Sequence, residues 1–374
     1  MEVTDNMKTA ILSMQRVDNY GSLLQAYALK KIIESFGGTV DFMDIKKINA
    51  DNALLGTVND HKKRNADKYL LKKLFNKDIF IRVLNKKKIH YLFDEFKEFR
   101  KSYLEIDRKS DNYDLCIIGS DEVFNCLDEC WWGYTSQLFG NVSEANSVIT
   151  YAASCGSTKI ENVPKSVRDS IEKAFKNVVS FSVRDDNTKS FVNSFGITDI
   201  EKNLDPVLIY DFEKELSEVS IPSLPEHYCI IYSYLYRFYN KEEINSIMNF
   251  CKSNNLTPIL LQGAQSWCRN LIVCNPFQCL KIFQNADFVI TDTFHGTIFS
   301  LKFAKKFAVI KRQSNQNKLD DLIRTFNVEN HCLNDWDDLR KIYEISVDKE
   351  NVRKVIHMEH ERTIHYLTPH LSSK

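Results

Sequence analysis

Short, almost uninterrupted apolar runs alternate with amphipathic stretches along nearly the whole chain, and this alternation predicts strands and helices in turn. KTAILSM (8–14) reads as a first strand and SLLQAYALKKIIESF (22–36) as a helix with Leu24, Ala28, Ile32 and Phe36 on one face. Gly37-Gly38 is a helix stop before a second strand, TVDFMDI (39–45). YDLCIIGS (113–120), SVITYAAS (147–154) and VVSFSVRD (178–185) are three further strands. Runs apolar on both faces are the mark of parallel strands covered by helices on each side. Residues 212–226 are polar, carry two prolines and break the pattern, so they read as a linker. Beyond it come a strand at 227–235, a helix at 242–254, a strand at 257–263 and a helix at 276–286. A strand at 288–290, a strand at 306–311 and a helix at 318–327 follow.

The pattern predicts an α/β protein of two doubly wound, Rossmann-like domains facing each other across a cleft, at 1–211 and 227–345. The last stretch, 346–374, contains the helical VRKVIHMEHERTIHYL and either crosses back onto the first domain or mediates assembly. A length of 374 residues with 43% hydrophobic and 12% aromatic residues fills two cores comfortably.

Charge changes the picture only locally. Lys+Arg and Asp+Glu balance at 50 each, which gives no global pull toward nucleic acid. Residues 61–90, however, hold eleven Lys/Arg against two Asp, interleaved with Leu, Phe and Ile. That composition fits a solvated helical insert on the first domain, spanning about 50–110, or peripheral contact with an anionic membrane; we favour the insert. MEVTDNMKTAILSM lacks the basic start and long apolar core of a secretory leader, and no apolar run approaches the ~18–20 residues of a membrane span. The expectation is a soluble cytoplasmic protein. Its ten cysteines are scattered and several sit in strands, as Cys116 and Cys229 do, so they read as reduced, buried thiols rather than disulfides or metal ligands.

Ligands in open α/β sheets sit beyond the carboxyl ends of the strands, and four such ends carry unusual chemistry. In VDNYGSLLQ, Asn19, Tyr20 and Gly21 turn into a helix with Ser22 as a candidate N-cap, and Gly21 permits close backbone approach. In GSDEVFN, Ser120 and Asp121 follow a strand directly; Asp121 suits a helix cap or a substrate hydroxyl. Arg184 ends the strand SFSVRDD and offers a planar fork for carboxylate or phosphate, or a structural ion pair with Asp185 or a neighbouring acid. LDPV (204–207) reads as a structural turn at Pro206. In ADFVITDTFHGTIFSLKF, His295 sits with Gly296 and Thr297 at a helix N-terminus, where free N–H groups favour anions. Lys311, Arg312 and Lys318 follow within about twenty-five residues of it. No dinucleotide or P-loop fingerprint is present, so neither a nucleotide cofactor nor a metal is expected.

Taken in order, NYGS-LLQAYAL, YDLCIIGSDEVF, SVRDDNT, LDPVLI and ADFVITDTFHGTIFSLKF resemble the polysaccharide pyruvyl transferase family, over about residues 8–330. The resemblance implies two Rossmann-like domains in a GT-B-like arrangement, phosphoenolpyruvate as donor, and a sugar of a cell-surface polysaccharide or its lipid-linked precursor as acceptor. By motif, His295 and Arg184 match the residues that handle phosphoenolpyruvate. Gly296, Thr297 and either Lys318 or Lys311 complete the donor side. Asn19, Tyr20, Gly21, Ser120 and Asp121 of the first domain fall to the acceptor. Glu122 and Phe124 stand where Gln and Trp are frequent and Thr293 where Ser is common, which leaves the acceptor sugar open; Lys318 stands where Arg is often seen. The rival expectations are a glycosyltransferase of the same fold using a nucleotide sugar, and a non-catalytic carbohydrate-binding protein.

Overall fold

A computed structural model describes residues 7–46, 77–108, 110–127, 134–313 and 315–371. Among the described residues, ten strands form two wholly parallel sheets. The first sheet is built from β1 (Lys8–Leu12), β2 (Thr39–Phe42), β3 (Tyr113–Asp121), β4 (Ala145–Ala153), β5 (Val178–Val183) and β6 (Ile200–Lys202), in the order β2-β1-β3-β4-β5-β6. The second contains β7 (Tyr228–Ser233), β8 (Thr257–Gln262), β9 (Phe288–Thr291) and β10 (Phe307–Val309), in the order β10-β9-β7-β8. The protein is thus an α/β fold of two Rossmann-like parallel sheets with helical crossovers.

Strand order places a topological switch point in each sheet, between β1 and β3 in the first and between β7 and β9 in the second. The order in which successive strands are added reverses there, so the crossovers leave on opposite sides and open a crevice beyond the strand ends. Side chains span both crevices: Ser13 Oγ donates to the Ser120 carbonyl at 2.9 Å, and Ser233 Oγ donates to Asp292 Oδ1 at 2.7 Å.

One apolar core runs from the inner face of the first sheet into the second and includes Ile11, Tyr20, Phe96, Tyr151, Tyr232 and Phe283; each outer sheet face has its own cluster. The helix Tyr20–Glu34 lies in the common core and is buried around most of its circumference rather than along the single Leu24/Ala28/Ile32 stripe. Its other face is covered by Phe96 and Phe99 of the helix Lys77–Phe99 and by Phe277 of the C-terminal half.

Of the basic segment, residues 61–76 fall outside the described residues. The remainder belongs to the helix Lys77–Phe99, which buries Leu92, Phe96 and Phe99 and also reaches the C-terminal half. There Asn85 Nδ2 donates to the Gln265 and Cys268 carbonyls, and Lys88 Nζ to those of Arg269 and Leu271.

The connector is more ordered than its polarity predicts. Residues Glu213–Glu218 form a helix that buries Leu216 and Glu215, and the two prolines fall beyond its end. The C-terminal helix Lys349–Leu371 returns to the first sheet: Tyr366 donates to the Thr150 carbonyl at 2.7 Å, and the Tyr151 and Thr363 hydroxyls meet at 3.0 Å. Among the described residues no helix is long and apolar enough to cross a membrane, and nine cysteines are free thiols.

Candidate active site

The two switch points face each other, and the unusual strand ends meet there. From the first sheet, Asn19 caps the helix Tyr20–Glu34: its side chain accepts from Gly21 N–H at 2.7 Å. The cap is therefore Asn19, three residues ahead of the expected Ser22. Ser22 instead donates to Asp121 Oδ2 at 2.9 Å, and Asp121 Oδ1 accepts from Glu122 N–H at 2.9 Å. Asp121 sits at φ 79°, a left-handed conformation that costs a non-glycine residue roughly 1–3 kcal/mol and is held by these local bonds.

Arg184 leaves the end of β5 almost fully buried. Its partner is not its neighbour Asp185, whose carboxylate caps the next helix through Thr188 N–H at 2.8 Å and accepts from Ser154 Oγ. Arg184 Nη1 instead donates to Asp205 Oδ2 at 2.9 Å, and Nη2 lies 3.6 Å from Asp121 Oδ1. Its Nε and Nη2 are buried and have no hydrogen-bond acceptor, while the guanidinium stacks 4.3 Å from the centre of the Phe294 ring. Burial opposes the charge on Arg184, but Asp121, Asp205 and Asp185 outweigh it and raise its pKa.

From the second sheet, Thr293 caps the helix Phe294–Lys302 by accepting from Gly296 N–H at 3.0 Å. Thr297 donates its hydroxyl and its N–H back to the Thr293 carbonyl. The N–H groups expected to be free at Gly296 and Thr297 are therefore already spent within the helix turn. Next in that turn, His295 projects toward the first sheet, with Nε2 3.4 Å from Asp205 Oδ2 and without hydrogen-bond geometry to it. Asp205 Oδ2 is thus shared between Arg184 and His295, while Oδ1 caps Val207. Burial would raise the Asp205 pKa, but His295 and Arg184 overcome that and hold it below the usual carboxylate range. Asp121 is lowered in the same way, by His295, Arg184 and Lys318 against its burial.

Of the cations that follow His295, only Lys318 reaches this cluster. It pairs with Glu122 and sits 5.5 Å from the Phe294 ring centre. Lys311 pairs with Asp320 at 2.9 Å instead, and Arg312 with Asp292 and Glu243. Asp292, fully buried, also meets Arg237 at 3.2 Å.

The structure therefore brings together Gly21, Asp121, Arg184, His295 and Lys318. Tyr20 is set apart: it is fully buried, and its hydroxyl donates to the Cys274 carbonyl across the junction. Ser120 is fully buried with its hydroxyl unpartnered. Asp205, Glu122 and Phe294 belong to the cluster although sequence reasoning gave them no role there. Asp205 lies in LDPV, whose proline marks a turn and whose aspartate has no local feature that separates it from a helix cap.

The profile of the family described as polysaccharide pyruvyl transferase matches residues 19–314. No curated protein sequence matches the chain. Among solved structures, the UDP-GlcNAc 2-epimerase of Methanocaldococcus jannaschii is similar, with a TM-score of 0.47 at 12% identity, covering 96% of this chain and 100% of that one. The glycosyltransferase SnogD of Streptomyces nogalater gives 0.43 at 11% identity over 99% and 100%. The UDP-N-acetylglucosamine 2-epimerase of Rickettsia bellii gives 0.43 at 12% identity over 98% and 99%.

Proposed function

The chain belongs to the polysaccharide pyruvyl transferase family, and on that premise we propose that it transfers the pyruvate moiety of phosphoenolpyruvate to a sugar as a ketal. The observation that supports this most is the buried Arg184 guanidinium, with two unpartnered donor atoms, set between two acids, a histidine and the stacked ring of Phe294. A buried donor without an acceptor costs free energy that an anionic ligand recovers.

In this reading Arg184 and Lys318 bind the donor's carboxylate and phosphate. His295 gives a proton to C3 of phosphoenolpyruvate, so that C2 becomes electrophilic and C3 a methyl group. Two sugar hydroxyls add to C2 and the C2–O bond to phosphate breaks. One hydroxyl proton replaces the one lost from His295 and the other leaves with phosphate. Such proton transfer contributes typically 10²–10⁴-fold, and fixed cations stabilise the charge that develops on phosphate. Asp205 orients His295 and balances its charge. Asp121, held as an anion, accepts a hydrogen bond from an acceptor hydroxyl, with Asn19 and Gly21 shaping the same side.

The acceptor is a sugar of a cell-surface polysaccharide or its lipid-linked precursor, and the enzyme works at the cytoplasmic side. Exposed Lys86 and Lys87 would extend the basic segment toward an anionic bilayer. Flotation with anionic liposomes tests that contact; absence of co-flotation removes it.

The deciding experiment is phosphate release from phosphoenolpyruvate with and without a panel of sugar acceptors, comparing wild type with His295→Ala. Acceptor-dependent release that collapses in the variant supports the proposal. No release with any acceptor, together with calorimetric binding of a UDP- or GDP-sugar instead, overturns it.

A further inference from the structure

A cavity of about 450 Å³ lies where the connector meets both halves. Its walls are Tyr27 of the helix Tyr20–Glu34, Tyr103, Tyr210 and Phe277. Tyr27 is six residues along the helix from Gly21, or roughly 9 Å at 1.5 Å per residue, so this cavity is separate from the His295 cluster.

Glu215 of the connector helix is the polar group at its floor, and it is nine-tenths buried. One oxygen is well served: Oε1 accepts from the Tyr27 hydroxyl at 2.6 Å and from the Tyr210 hydroxyl at 2.8 Å. The other, Oε2, is buried with no hydrogen-bond partner. Both donors are neutral phenols. Burial, and after it Glu215 itself, pushes their ionisation far up, so they remain donors rather than charges. Among the described residues, the carboxylate therefore has no ion-pair partner of its own.

The nearby lysines do not fill that role. Lys31 is held by Glu34 at 2.8 Å, and Lys30 by Glu105. Lys214 and Glu218, both exposed at the rim, balance each other in charge. The ring faces are electron-rich surfaces suited to a cation, and Lys31 Nζ already stands 5.7 Å from the Tyr27 ring centre. Tyr27, Tyr103 and Phe277 pack edge to face, at 4.8–6.3 Å between centroids, which builds a rigid cage rather than a loose groove.

We propose that this cavity is a binding site for a primary organic ammonium on a compact apolar skeleton. The ammonium donates to Glu215 Oε2 and the skeleton packs against Tyr103, Tyr210 and Phe277. A charge-assisted bond to a buried acceptor is about twice as strong as a neutral one, so an ammonium is selected over a hydroxyl of the same shape.

The test is isothermal titration of the full chain with cyclohexylmethylammonium chloride and with its neutral isostere, cyclohexylmethanol, at ionic strength matched with KCl. The expected result is saturable binding of the ammonium at millimolar concentration or below, with the alcohol at least tenfold weaker. Glu215→Gln, which keeps the side chain's size and removes its charge, weakens the ammonium at least tenfold. Tyr103→Ala removes a half-exposed wall and weakens it several-fold in a protein that still unfolds cooperatively, with a melting temperature lowered by no more than the lost ring contacts require. Equal binding of the alcohol, ammonium binding that survives Glu215→Gln, or no binding to the wild type each overturns the proposal.

Discussion

Gly21 and His295 lie on different halves of the protein, yet the histidine ring rests directly on the glycine backbone: a methyl group at Gly21 would overlap Cγ and Nδ1 of His295. The glycine at the first helix's N-terminus therefore shapes the seat of the imidazole at the second helix's N-terminus, with Asp205 on its other side.

Gly21→Ala should consequently act as a His295 mutation at a distance. The ring must move by an ångström or more, and a displacement of that size costs catalysis about 100-fold. The expected outcome is a kcat for phosphate release reduced by about that factor. The loss should be much larger than any change in unfolding temperature, since alanine suits helix conformation better than glycine. Parallel steady-state kinetics and thermal melts check this; full activity in Gly21→Ala would mean the ring contact is immaterial.

Asp205→Asn should damage stability and activity together. Arg184 would keep its burial but lose the ion pair at 2.9 Å, and His295 would lose its carboxylate neighbour at 3.4 Å. Breaking a buried pair from one side costs about 3–5 kcal/mol. Urea denaturation should show a loss of that order. Asp205 is held below the usual carboxylate range when folded, so its contribution is fully present above its unfolded pKa and is lost as pH falls through the depressed folded value. Acid unfolding of Asp205→Asn should therefore be less steep in pH than that of the wild type.

Glu122→Gln separates binding from catalysis. Lys318 is tied to Glu122, so under the proposed function a donor phosphate bound there would compete with that carboxylate for the ammonium. Removing the competing charge should lower the KM for phosphoenolpyruvate several-fold and leave kcat within about threefold. Lys318→Met should raise the same KM. Initial-rate kinetics over a range of donor concentrations distinguish these outcomes from a Lys318 that merely bridges the two halves.

The strand ends were legible because their residues are locally unusual: a histidine at a strand-to-helix turn and an arginine closing an apolar run stand out in a linear reading. What joins them was not. Asp205 meets Arg184 and His295 only through the fold, and an aspartate before proline carries no local sign of a shared ion pair. Lys311 and Lys318 were indistinguishable by spacing. The helix Gln316–Phe326 separates them, because it directs Lys318 to Glu122, whereas Lys311 precedes the helix and pairs with Asp320 on it. Likewise, the helix Tyr20–Glu34 read as half-exposed because its second covering surface comes from residues 77–99 and 277, far away in sequence.

Lys302 closes the helix that His295 opens, and its ammonium donates to the Tyr210 carbonyl beside the Phe212 ring. Burial lowers its pKa from 10.5 to about 8, with Asp211 opposing. Below pH 8 both folded and unfolded chains carry the proton, and the folded state bears the cost of a buried charge. Between about 8 and 10.5 the unfolded chain binds more proton than the folded one, so this residue's contribution to stability rises with pH. The shift bounds the effect at roughly 3 kcal/mol. Whole-protein stability should nonetheless fall above pH 9, because buried thiols such as Cys268, pushed up to about 11, act in the opposite sense. The measurement is therefore a difference: unfolding free energies of wild type and Lys302→Met at pH 7 and pH 9.5. Wild type should gain on the variant by about 1–3 kcal/mol between these two values. A difference independent of pH would show that Lys302 is solvated and not buried against Phe212.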